Sequence, residues 1–206
     1  MSEKKEKVKK AHYFTNKEII SMAIMAAAMF VVSCITVPLV LGVPFPGIRC
    51  LTCGLFFGII IALDYAKVPK IGVGTLTTLV CSLPMVAFSW VILVFTTLSG
   101  VCTDIYFALI KKKLNVWTTI GLGIVLMGSM VIIAESMGIL FVKGNTWASF
   151  SQFYSEGWKV AVGYIGSAIL GGLGSFLATR IFKEFKGMRN GGTAEKAEKP
   201  DGDKNA

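Results

Sequence analysis

The chain has 206 residues, 54% of them hydrophobic and 16% charged, with a formal net charge of +9. Four runs of 20 or more residues, 19–48, 71–103, 114–134 and 160–179, hold no charged side chain; a bilayer core about 30 Å thick calls for about 20 apolar helical residues, so these runs argue against a soluble fold. The surplus of Lys and Arg is not interleaved with exposed aromatics and is arranged like the cytoplasmic loops of membrane proteins, which excludes nucleic acid as a partner.

Eighteen of the 21 Lys and Arg residues fall in four patches: 4–17, Lys67 with Lys70, 111–113, and everything from Arg180 onward. Residues 1–16 form a basic tail that stays cytoplasmic and cannot bury enough apolar surface to order itself. Span one is predicted at 18–41. Its charge-free run of 30 residues exceeds the h-region of a cleaved signal, about 7–15 residues. The Pro/Gly cluster 42–47 ends it. Span two, at 47–65, returns the chain to the basic turn of Lys67 and Lys70.

From 71 to 110 Asp104 is the single charged residue. As one helix this stretch would reach about 60 Å at 1.5 Å per residue, twice the membrane core. It therefore reads as two spans, 70–85 and 89–111, with an outer turn marked by Pro84, Phe88 and Trp90. Span five is predicted at 115–140. The outer loop 141–158 carries Trp147, Phe150, Phe153, Tyr154 and Trp158, and its aromatic repeat suggests a short amphipathic piece on the outer surface. Span six is predicted at 159–182, and 187–206 is a second charged, disordered tail. The expected fold is an all-α integral membrane bundle of six transmembrane helices over 17–186, multi-pass in the cell membrane, with both termini cytoplasmic. Arg49, Lys143 and Lys159 alone remain outside.

Small residues at every fourth position let helices approach closely in lipid. One such face is Ala23 with Ala27. Another is Gly163, Ser167, Gly171, Ser175 and Thr179 in span six. Each serves either packing within the bundle or docking against another protein. Charges inside spans are rare and usually functional. Asp104 lies two turns before the 111–113 cluster, about 10 Å inside the cytoplasmic edge. It pairs with Lys70, accepts hydrogen bonds from a neighbouring helix, or acts as a proton or cation site. Glu135 and Arg49 lie at outer span ends. They are either interfacial or, facing inward with Trp90, Trp147 and Trp158, line an outer cavity for a small aromatic or ionisable solute.

Enzyme chemistry finds little purchase. The sole histidine, His12, lies in the tail. No H-E-x-x-H, no P-loop and no paired intramembrane aspartates are read. Cys50 and Cys53 have redox or metal spacing but no second pair, and sit in an apolar helix start. The expectation is a non-enzyme with no metal and no cofactor of its own.

The order of several short segments is similar to a known family. Asn16-Lys17-Glu18 leading into Ala23 and Ala27, the run 66–72 (AKVPKIG), Gly100-Val-Cys-Thr-Asp104 before a basic cluster, and 166–174 (GSAILGGLG) before Arg180 and Lys183 resemble substrate-binding (S) components of energy-coupling factor (ECF) transporters, specifically the MptD-like, Trep_Strep group. The resemblance covers roughly 15–187. It implies a six-helix subunit that captures a micronutrient, a vitamin or precursor, from outside. Such a subunit docks on a transmembrane coupling (T) protein served by two ATPase subunits, which use the ATP. By analogy Ala23 and Ala27 face the T protein, and the solute lies near the outer ends of spans four to six. The alternative is a stand-alone channel or ion-coupled secondary transporter with Asp104 as the coupling site.

Overall fold

In the computed structural model, the structure describes residues 14–40, 48–87, 89–110, 114–137 and 157–197. The expected turn at 42–47, Phe88, the basic turn 111–113, the outer loop with Trp147, residues 1–13 of the N-terminal tail and 198–206 of the C-terminal one lie outside the described residues, as does the side chain of Arg49.

All the regular structure among the described residues is helical: α1 (Asn16–Val40), α2 (Ile48–Lys67), α3 (Val73–Ser82), a 3-10 turn (Pro84–Ala87), α4 (Trp90–Leu109), α5 (Val116–Met137) and α6 (Gly157–Ala197). Five of these helices are long and apolar enough to cross a membrane. The chain is thus a helical bundle of membrane-protein type. The third expected span differs. It is a short apolar unit, Val73–Ala87, in which Pro84 follows the C-cap of α3 and opens the 3-10 turn. Proline lacks the N–H that the next helical turn would need. At the other end of the chain, α6 continues beyond the expected limit at 182 to Ala197.

Helices α2, α5 and α6 pack on one another to form the centre of the bundle; α4 joins α5, α3 lies on α4, and α1 packs chiefly on α2 and α3. Of the membrane-length stretch of α1, 22% is buried, against 56% for α2, so α1 is a rim helix and α2 a central one. The core includes Met29, Ile61, Tyr65, Phe107, Leu122, Leu126 and Met127. The Tyr65 and Phe107 rings pack at a tilt of 42° with centroids 4.5 Å apart.

The small-residue stripe of α6 faces inward. Gly163, Ser167, Gly171 and Ser175 are buried, and Thr179 is half-buried. A Cβ placed on Gly171 would run into the Gly123 carbonyl of α5, and one on Gly58 into the Gly171 carbonyl. Ser175 Oγ donates to the Gly58 carbonyl at 2.9 Å. Internal packing therefore uses this face. Cys53 and Cys50 are buried in α2, with Cys53 Sγ 2.9 Å from Thr36 Oγ1 of α1.

The turn between α2 and α3 depends on Gly72, whose φ of 99° is left-handed. A Cβ there would have room, with Phe14 at 3.6 Å, so the penalty is conformational. Gly72→Ala should cost about 1–2 kcal/mol. A thermal melt of detergent-purified protein checks this: an unchanged midpoint would mean that the turn adapts.

Candidate functional site

Two carboxylates lie inside the bundle near the basic ends of the helices. Helix α2 supplies Asp64, α4 supplies Asp104, and α3 runs between them. Asp64 is fully buried and Asp104 is 5% exposed.

The first turn of any helix leaves backbone N–H groups without intrahelical partners. The N-cap of α3 is Gly72, which has no side chain to accept them. Asp104 accepts them from across the helix interface. Its Oδ1 takes Gly72 N–H at 2.8 Å and Gly74 N–H at 3.2 Å. Its Oδ2 takes Thr75 N–H at 2.8 Å and Thr75 Oγ1 at 2.5 Å. Tyr65 Oη of α2 donates to Oδ1 at 2.5 Å and itself accepts from Gly74 N–H at 3.3 Å. The positive end of the α3 dipole favours a carboxylate there. Close contact makes this reach possible: a Cβ on Gly100 of α4 would collide with the Gly74 carbonyl and Thr78 Oγ1 of α3.

Of the roles open to Asp104, accepting hydrogen bonds from a neighbouring helix is the one seen. Lys70 is not its partner. Lys70 Nζ instead bridges to Glu18 Oε2 of α1 at 2.7 Å and lies 5.6 Å from the Phe14 ring centroid. The reason is local. Glu18 forms a capping box with Thr15, accepting Thr15 N–H at 2.7 Å while Thr15 Oγ1 accepts Glu18 N–H at 3.4 Å. That box fixes the Glu18 carboxylate at the foot of α1, beside the α2–α3 turn.

Asp64 is the residue that sequence reasoning passes over; among the described residues it bonds to Thr77 and shares no hydrogen-bond partner with Asp104. Three residues before Lys67, it reads as an interfacial end of span two; in the bundle it is fully buried, with Thr77 of α3 against it. Thr77 Oγ1 of α3 donates to its Oδ2. Its Oδ1 is buried and has no hydrogen-bond partner among the described residues.

The outer candidates are not brought into one site by the described residues. Trp90 is 52% exposed and Trp158 63% exposed, each at the first residues of its helix, as interface-anchoring tryptophans are. Lys159 Nζ lies 5.9 Å from the Trp158 ring centroid. Glu135 is half-buried near the end of α5. A cleft of about 260 Å³ opens between α2, α5 and α6, lined by Ala62, Ala66, Thr119, Ala178 and Thr179 among others. It lies at the Lys67 end of α2, away from Trp90 and Trp158, so it does not correspond to the expected outer cavity. Ala23 and Ala27 are exposed on α1, while Met22, Ala26 and Met29 turn into the core.

No family model, curated protein or solved structure matches the chain. The likeness to ECF S components thus rests on the short sequence segments alone.

Proposed function

We propose that the chain is the substrate-specific, membrane-embedded binding subunit of an ATP-driven importer of the ECF type, taking up a small micronutrient. The observation that carries this reading is the open face of α1. Ile20, Ile24 and Val31 are each more than half exposed, and Ala23 and Ala27 lie exposed among them. A rim helix with small residues on its outer face is suited to close approach by another membrane helix. The proposed partner is a transmembrane coupling T protein with two ATPase subunits, on the cytoplasmic side where the basic patches would lie. Six spans with both termini inside would follow if Val73–Ala87 completes its crossing as a short span. The solute would enter from the opposite face, near Arg49, Trp90, Glu135, Trp147 and Trp158.

The alternative, a channel or ion-coupled carrier using Asp104, has weaker support. Both oxygens of Asp104 are already engaged by donors of the protein itself, which suits a structural cap.

Co-expression with a T protein and ATPases, followed by affinity purification, tests the docking face. Ala23→Leu or Ala27→Leu should cut recovery of the partners about tenfold, the equivalent of 1.4 kcal/mol, and leave the bundle's melting midpoint unchanged. Failure of the wild-type chain to bring down any partner would sink the importer reading.

A further inference from the structure

The two buried carboxylates are supported very differently. Asp104 faces five donors. Asp64, with no exposed surface, has one neutral donor, Thr77, and an oxygen with none. An ionised carboxylate sealed from water with so little support carries a penalty of several kcal/mol, and buried groups in that position neutralise instead.

Among the described residues no cation pairs directly with it: Lys67 acts on it only as a more distant charge, and on α1 Lys17 is exposed while Glu18 is held by Lys70. On its own helix Lys67 is three residues on and exposed; the ion pair found at this end of the bundle, among the described residues, is Lys70 with Glu18. On α6 Arg180 is exposed and lies 5.5 Å from the Phe176 ring centroid. On α4 Asp104, a second acid, accepts from Tyr65, the residue next to Asp64 in the chain. On α3 the facing group is the neutral Thr77.

We propose that Asp64 is a proton-binding site: in the packed bundle its carboxyl is a neutral acid paired with Thr77, and it gives its proton to water when α3 parts from α2. Protonation explains both oxygens. Oδ2–H donates to Thr77 Oγ1, reversing the direction a carboxylate would require. Oδ1 becomes a carbonyl oxygen, and an unpaired carbonyl is tolerated inside a protein far better than an unpaired charge. Separation of α2 from α3 is then proton-linked: closing the contact takes up one proton, and opening it to water releases one. This inference does not rest on the importer reading. It holds for any function of the bundle in which α3 moves against α2.

Infrared spectroscopy of the full-length protein in lipid at neutral pH tests it. The wild type should show the C=O stretch of a protonated carboxylic acid. Asp64→Asn, which preserves shape and can still hydrogen-bond to Thr77, should lose that band, and Asp104→Asn should keep it. Should Asp64→Asn fail to fold, wild-type protein carrying carboxyl-¹³C aspartate serves instead, and the band must move on labelling. A wild-type spectrum with no such band overturns the proposal, as does a band that survives Asp64→Asn or ignores the aspartate label. A band that appears only after sodium is removed would also overturn it, since a metal cation would then be the neutralising partner.

Discussion

Asp104→Ala should leave no stably folded bundle in detergent. The substitution removes the acceptor for Tyr65 Oη, for the backbone N–H groups of Gly72, Gly74 and Thr75, and for Thr75 Oγ1. The bonds from Tyr65 Oη and Gly74 N–H are buried and the other three part-buried, and a stranded buried donor costs about 1–3 kcal/mol. Two or three left unpaired would consume much of a total stability of about 5–15 kcal/mol. Asp104→Asn should do less damage, because the amide keeps one acceptor oxygen while its NH2 opposes the remaining donors. The measurement is a thermal melt alongside size-exclusion chromatography. If Asp104→Ala remains monodisperse with a wild-type midpoint, the carboxylate is not what ties α3 to α4, and a transport role for it regains weight.

Gly171→Leu should be comparably damaging, for a different reason. Gly171 lies where α2, α5 and α6 meet. A side chain there points at the Gly123 carbonyl and Met127, and Gly58 and Gly123 in turn face the Gly171 carbonyl. Overpacking a core costs about 1–3 kcal/mol when neighbouring side chains can shift. Here the obstacle is backbone, which cannot rotate away, so the cost lies at or beyond the upper end of that range. Even Gly171→Ala should lower the melting midpoint measurably. Gly157 supplies the control: a Cβ on it meets nothing within 4 Å, and Gly157→Ala should be neutral. Equal tolerance at both positions would mean that the three helices are not in close contact.

Most helix positions are legible in the amino-acid sequence. The predicted spans at 18–41, 47–65, 89–111 and 115–140 lie within a few residues of α1, α2, α4 and α5. The break after α3 is legible as well, since the outer turn read at Pro84 falls on the 3-10 turn Pro84–Ala87; the late start of α3 at Val73 is not, because it depends on the left-handed Gly72. The site is legible only in part. Asp104 stands out as the lone charge in a long apolar stretch, yet its partners are backbone N–H groups, and no residue type announces those. Asp64 sits so near Lys67 that it passes for a boundary residue. Of the two structural partners read for Asp104, the neighbouring helix is the one found, and Lys70 goes instead to Glu18, which its own capping box holds beside the turn.

By itself the sequence determined the class of this protein and the placement of its long helices, because both follow from runs of apolar residues and the positions of charge along the chain. The tertiary structure decided which groups are inside and what they touch. The bond between Thr77 and Asp64 depends on α3 meeting α2, the five bonds to Asp104 depend on α4 crossing the start of α3, and the use of the α6 stripe depends on α2 and α5 closing on it. Those are properties of neighbouring helices, and a carboxylate or a glycine has no chemistry of its own that records its neighbour.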